Sequence, residues 1–150
     1  MPTIERTVHS PAPVGTVQAY LRDVANTEEW DAPTISCEPR DPSTPLAVGK
    51  QWRNVSEFRG KRTELVYTLE LDEPGHLRVR GENKTVTSQD DIMMVADGPG
   101  TTVTYRAEFT LQGVAKVAGP LLSPALGRLG DEAEQSLADA LERLPAAQER

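Results

Sequence analysis

Cysteine is almost missing from this chain: Cys37 stands alone among 150 residues. A lone thiol makes no internal disulfide, which fits a reducing compartment, and as a small buried hydrophobe it needs no further role. Histidine is nearly as scarce. His9 and His76 lie far apart, and no HExxH or CxxC spacing accompanies them, so no metal site is expected. GxSxG and phosphate-binding glycine loops are missing as well, and no cofactor is expected. No apolar run approaches the roughly 18 residues that a membrane span needs. The chain does not open on a basic, apolar leader, so the expectation is a cytoplasmic protein. Positive charge is in the minority, with 16 Lys and Arg against 23 Asp and Glu and a formal charge of −7. An acidic chain repels a phosphate backbone, which argues against nucleic acid as a partner.

What is present suits one soluble domain over residues 1–150, with 37% hydrophobic and 26% charged residues. The strongest pattern lies between Gly113 and Leu144. Val114, Val117, Ala118, Leu121, Leu122, Ala125, Leu129, Ala133, Leu137, Leu141 and Leu144 recur in steps of three and four, one apolar stripe of a helix. Pro120 and Pro124 interrupt it, and Ser123-Pro124 reads as an N-cap followed by a first helical position. The spacing therefore predicts a short helical piece near 114–122, a kink or break, and a long helix over 124–143 of about 30 Å. Just before it, Val103, Tyr105, Ala107, Phe109 and Leu111 alternate with polar residues across Thr102 to Leu111, a half-buried strand of about 33 Å. Strand and helix of equal length, joined in sequence, are expected to pack on each other.

The remaining segments are shorter. Thr3 to Ser10 reads as a strand with Ile4 and Val8 on one face, and Pro11-Ala12-Pro13 ends it. Helical spacing follows over Val14 to Val24, then a second short helix over Asn26 to Trp30. Thr34 to Glu38 is a short strand, and Asp41 to Gly49 a loop. Strands are then expected at Lys50 to Phe58, Arg62 to Leu71, His76 to Asn83 and Thr85 to Ala96. The first puts Trp52, Asn54, Ser56 and Phe58 on one face. The second turns Leu65, Tyr67, Leu69 and Leu71 inward, and the third Leu77, Val79 and Gly81, with Arg78 and Arg80 outward. The run Ile92-Met93-Met94-Val95 leaves the facing of the fourth open. Arg59-Gly60-Lys61, Pro74-Gly75 and Asp97 to Gly100 are turns. Strands in a run with segregated helices indicate an α+β fold on an antiparallel sheet, covered by the last helix.

The chain resembles the SRPBCC superfamily, the START-like or helix-grip fold, and within it the polyketide cyclase/dehydrase-like group. The residues that carry the resemblance are Ser10-Pro11-Ala12-Pro13 before a helix, Asp23 through Trp30, Val48-Gly49-Lys50-Gln51-Trp52, Gly100 through Tyr105, and the closing helix. The resemblance implies a curved antiparallel sheet of about seven strands wrapped around a long C-terminal helix, with two short helices between strands one and two. It also implies a deep, mostly apolar cavity between sheet and helix. Members bind lipids, sterols, plant hormones or polyketides, and a minority catalyse cyclisation or aromatisation.

Ligand contacts are accordingly expected from Trp30, Trp52, Asn54, Leu65, Tyr67, Leu69, Val79, Met93, Tyr105, Phe109, Ala118 and Leu122. Asn54 and Ser56 stand where a plain core would want aliphatics, so they read either as polar handles in a pocket or as partners of each other. In the cyclases of the family, inward arginines and tyrosines hold the polyketide. Here the central strand 62–71 offers no interior arginine. Tyr67 and Tyr105 are the candidate proton donors, with no base evident beside them. Of the neighbours Asp90 and Asp91, one should face the cavity side, where burial would raise its pKa, unless both are solvated at a strand end. The expected function is a carrier or sensor of a small hydrophobic molecule, lipid-, polyketide- or aromatic-like. The alternatives are a cyclase or dehydratase using Tyr67, Tyr105 and Asp91, and a regulatory module that contacts another protein. A monomer and a homodimer are both compatible with the pattern.

Overall fold

The alternating segments become strands, and a computed structural model describes them over residues 3–58, 60–111 and 115–146, with the backbone alone at 58 and 115–126. In chain order these are β1 (Thr3–Ser10), α1 (Val14–Leu21), a 3-10 turn (Val24–Asn26), α2 (Thr27–Trp30), β2 (Thr34–Pro39), β3 (Gln51–Phe58), β4 (Lys61–Glu73), β5 (His76–Glu82), β6 (Val86–Asp97), β7 (Gly100–Leu111) and α3 (Ala115–Glu142). The seven strands form one curved antiparallel sheet in the order β1-β7-β6-β5-β4-β3-β2. Strands β2 to β7 are a continuous meander, and β1 closes it by pairing with β7. Gly75 sits at φ 79°, as the third position of the Pro74-Gly75 turn requires, and its N–H is held by Gln18 Oε1 of α1 at 2.9 Å. Of the expected Arg59-Gly60-Lys61 turn, Arg59 lies outside the described residues. No helix among the described residues is long and apolar enough to cross a membrane.

The inner face of the sheet is the apolar face of the alternation. Ile4, Val8, Trp52, Tyr67, Leu69, Leu77, Val79, Ile92, Met94, Val103 and Ala107 are buried there. The facing of β6 is now fixed: Ser88, Asp90, Ile92 and Met94 point inward, and Met93 and Val95 point outward. One inward assignment fails. The register of β4 on β5 slips between Leu69 and Leu71, so Leu69 pairs with Val79 but Leu71 pairs with the outward Arg78. A β-bulge of one extra residue reverses the facing of everything beyond it. Asp72 takes the inner place instead, opposite Leu77, and holds Arg22 Nε at 2.8 Å and Gln18 Nε2 at 2.9 Å. The bulge thus turns a carboxylate toward α1 and fastens the first helix to the end of the sheet.

The expected interruption of the last helix is absent. Helix α3 runs as one element from Ala115 to Glu142, with Pro120, Ser123 and Pro124 in its interior. A proline leaves the carbonyl four residues back without its partner. With the two prolines four apart, those carbonyls fall along one side of the helix, and the ladder continues on the other. The second half of α3 lies on β1 and α2. Gly130 permits the approach, since a Cβ there would stand 2.7 Å from Ile4 Cγ2. Leu137, Ala140 and Leu141 are buried against the core. At the helix end the Leu141 carbonyl accepts from Leu144 N–H at 3.3 Å and from Ser10 Oγ at 2.9 Å, and the Ser10 Oγ in turn accepts from Ala12 N–H at 3.2 Å. Thr101 Oγ1 closes the corner by donating to the Ala12 carbonyl at 2.8 Å.

Leu137 is 2% exposed, so Leu137→Ala is expected to cost about 2–5 kcal/mol in urea unfolding. An unchanged midpoint would show that this stripe does not carry the packing of α3.

Candidate ligand site

Between the sheet and α3 lies a cavity of about 310 Å³, at the lower end of the roughly 300–1,000 Å³ typical of small-molecule sites. Its wall is mostly apolar: Ile4, Pro33, Leu65, Val86, Ala107, Phe109, Leu111, Leu129 and Ala133. Asp31, Tyr67, Asp90 and Tyr105 line both the cavity and an adjoining recess of about 20 Å³, the size of a single water, while Ser56, Thr63, Thr85 and Ser88 line the cavity alone. Trp30 lines the recess and stands edge-on to Tyr105 at a centroid distance of 5.8 Å.

Three of these polar groups are placed by their strands. Pairing outward from the Gly98-Pro99 turn sets Asp90 opposite Ala107 and Ile92 opposite Tyr105, so Asp90 shares the inner face with Tyr105. Tyr67 pairs with Gly81. The ring lies over that glycine, where a Cβ would come within 2.5 Å of Tyr67 Cε1 and 2.8 Å of Ser88 Oγ. Asp31 follows α2 and is the end of a hydrogen-bond chain. Ser56 Oγ donates to Asn54 Oδ1 at 2.6 Å, Asn54 Nδ2 donates to Thr34 Oγ1 at 3.0 Å, and Thr34 Oγ1 donates to Asp31 Oδ2 at 2.6 Å.

The electrostatics follow from burial. Asp90 is 7% exposed and its Oδ1 has no hydrogen-bond partner; neither has Ser88 Oγ, on the same wall. Desolvation pushes the Asp90 carboxyl up to about 7, against a downward pull from the Tyr105 hydroxyl and a further rise from the charges of Asp31 and Asp91. Asp31 rises to about 6 by desolvation, opposed by its bond from Thr34. Both tyrosines are held above their ordinary range, by burial first and then by the two carboxylates. Two acids that titrate near neutrality beside two phenols can accept and return protons, or receive donors from a ligand.

Residues 1–145 match the family model described as polyketide cyclase / dehydrase and lipid transport. The chain belongs to that family. No curated protein matches it. Among solved structures, a START superfamily protein from Mycobacterium smegmatis superposes with a TM-score of 0.76 at 14% identity, covering 93% of this chain and 96% of its own. The Zhui aromatase/cyclase from a Streptomyces species gives 0.75 at 17% identity, with 94% and 93% covered. A Thermus thermophilus protein gives 0.68 at 18%, with 93% and 99% covered. At such identities the likeness is one of fold.

Within this family fold, Leu65, Tyr67, Tyr105 and Phe109 line the cavity, and Trp30 and Val79 line the recess. Trp52, Asn54 and Leu69 are fully buried in the core and line neither. Asn54 and Ser56 do bond each other, and through Thr34 they orient Asp31. Met93 is 43% exposed on the outer face. The side chains of Ala118 and Leu122 lie outside the described residues. Asp91 is also on the outer face, bonded to His76 Nε2 at 2.8 Å and Arg78 Nε at 3.0 Å, which removes it from the cavity. Asp90 is the member of the pair that points inward, and it is not solvated. The Asp90 carboxyl stands beside the Tyr105 hydroxyl. Counting back from the two-residue turn at Gly98-Pro99 to the legible face of β7 would have found Asp90. Asp31, at the end of a four-residue helix, leaves no periodic signal. Arg6 is a further inward residue of β1 that alternation with Ile4 and Val8 could have revealed. Its guanidinium is occupied by Asp131 Oδ1 at 2.9 Å, Glu134 Oε2 at 3.4 Å and the Gly127 carbonyl at 3.2 Å.

Folded Asp90 titrates at about 7 against an ordinary 3.8, so the folded state holds its proton more tightly than the unfolded state. The Asp90 contribution to stability is therefore greatest below the ordinary value, falls as pH rises toward 7, and is flat above it. Asp90→Asn, which resembles the protonated form, is expected to match the wild type near pH 4 and to exceed it by roughly 2–4 kcal/mol near pH 8. Asp31 contributes a slope of the same sign to both proteins. Equal pH dependence of the two denaturation curves would show that Asp90 is not buried as a carboxylate.

Proposed function

We propose that this chain binds a small apolar molecule with one polar end, as a carrier or sensor. The body lies against Leu65, Val86, Phe109, Leu111 and Leu129, and the polar end meets Asp31, Tyr67, Asp90 and Tyr105. The observation that carries the reading is the buried pair Ser88 Oγ and Asp90 Oδ1, unpartnered on the wall of a cavity of about 310 Å³. A packed core leaves few such groups, because each costs about 1–3 kcal/mol. A bound molecule with a polar end would satisfy them and cover the apolar wall at once. The family description, which includes lipid transport, supports the same reading.

The test uses a neutral apolar dye, Nile red, together with native mass spectrometry of the protein as purified. Dye uptake is expected in the wild type, and Ala133→Trp, which fills the cavity from α3, should weaken it by at least about tenfold. Equal uptake by a folded Ala133→Trp protein would place the dye elsewhere and remove the proposal.

Asp90 beside Tyr105 favours a second reading, proton transfer on a bound carbonyl compound, as cyclase or dehydratase chemistry requires. Asp90 as carboxylate would take an α-proton, with Tyr105 donating to the carbonyl oxygen as the enol forms. In heavy water an aryl methyl ketone should then exchange its methyl protons for deuterium faster with wild type than with Asp90→Asn. Indistinguishable exchange rates by proton NMR would leave Asp90 with a binding role alone.

A further inference from the structure

We infer that the ligand of this cavity is an apolar amine, bound as its ammonium ion between Asp90 and Asp31. The inference rests on the reading of the cavity as a ligand site and adds the chemical class.

The lining has a one-sided charge. Asp31 and Asp90 are its two ionisable acids, and among the described lining residues there is no lysine, arginine or histidine. Basic residues on β1, before β3 and on β5 are committed elsewhere. Arg6 is held by Asp131, Glu134 and the Gly127 carbonyl. Lys50 donates to the Thr44 carbonyl at 2.6 Å. Arg78 serves Asp91 on the opposite face of the sheet. An anionic ligand would set a third negative charge beside two carboxyls where water is scarce. An alcohol or ketone brings at most one donor and no charge. An ammonium ion brings up to three N–H donors and the opposite charge.

The acceptors fit that donor count. Asp90 Oδ1 and Ser88 Oγ are buried without partners, so two acceptor sites on β6 are open. Thr34 occupies Asp31 Oδ2 at 2.6 Å, which leaves Oδ1 as the natural third. The Thr34–Asn54–Ser56 chain holds Asp31 from behind and supplies no charge that would neutralise it. Trp30, Tyr67 and Tyr105 line the same end, and aromatic rings attract a cation more strongly where water is excluded. The two carboxyl groups thus stand with aromatic rings at one end of the cavity, and the rest of its described lining is uncharged. Burial of the acids supports the pairing, because an ammonium removes the cost that raises their pKa values. The formal charge of −7 adds a long-range attraction for cations.

The experiment is calorimetric titration of the full chain with three molecules of one shape: naphthylethylamine, naphthylethanol and naphthylacetate, at about pH 8, above the range in which Asp90 titrates. The amine is expected to bind at least about tenfold more tightly than the alcohol, and the acid most weakly. Asp90→Asn should lower the amine-to-alcohol ratio, and the double variant Asp31→Asn, Asp90→Asn should bring it to about one. A ratio that survives in the folded double variant overturns the inference, as does an alcohol or acid that binds as well as the amine. Nile red uptake with no amine binding also overturns it and leaves the cavity reading standing. Failure of all three molecules and of the dye removes the cavity reading and the amine with it.

Discussion

The Ser10 hydroxyl joins the end of the first strand to the last turn of the last helix, and the architecture depends on that seam. A broad sheet with one apolar face needs a cover, and a single helix covers it only if its position is fixed. Among the described residues, α3 is fixed by a glycine pressed on Ile4, an arginine from β1 reaching two acids, three buried apolar residues, and a carbonyl received by Ser10. The cavity begins where this close packing stops, under Leu129, Gly130 and Ala133.

Charges are distributed unequally between the two faces of the sheet. On the outer face Arg53 meets Glu64, Arg78 meets Asp91, and Arg106 meets Glu5 and Glu108. These exposed pairs contribute little, typically about 0–1 kcal/mol. On the inner face the acids Asp31 and Asp90 lie within the cavity without a cation among the described lining residues, and both carry the mark of burial in their titration. A fold selected for stability alone would place neutral residues there. The polar cluster departs from the packing rules obeyed elsewhere, and such departures concentrate at functional sites.

Most of the fold was legible because alternation with period two and a stripe with period near four are strong signals. Strands β1, β5 and β7 needed little more. The helix was legible in extent but not in continuity, since the prolines speak for a break and the placement of both on one side argues otherwise. Leu71 was misread because a bulge leaves no mark in the hydrophobic pattern: Leu69 and Leu71 look alike in sequence, and only pairing shows the extra residue. The site was legible in its aromatic half, through Tyr67 and Tyr105 on clearly alternating strands. Its acidic half was harder. The choice between Asp90 and Asp91 sits beside an apolar run that hides the alternation, and Asp31 belongs to no periodic element. Asn54 and Ser56 were conspicuous as polar residues on an apolar face, yet their partners come from β2 and the loop before it, which only tertiary structure brings near.

Gly81 contributes no side chain to the cavity and still shapes it. The phenol of Tyr67 occupies the place where a Cβ on its cross-strand neighbour would be. A slip of β4 against β5 by two residues would keep every apolar side chain on its proper face, so the hydrophobic pattern does not guard against it. Such a slip would put Val79 or Asn83 beneath the ring. The glycine makes one register distinguishable from its near-equivalents, and the bulge beyond Leu69 pins it from the other side. The shape of the cavity is therefore written partly in the alignment of two strands.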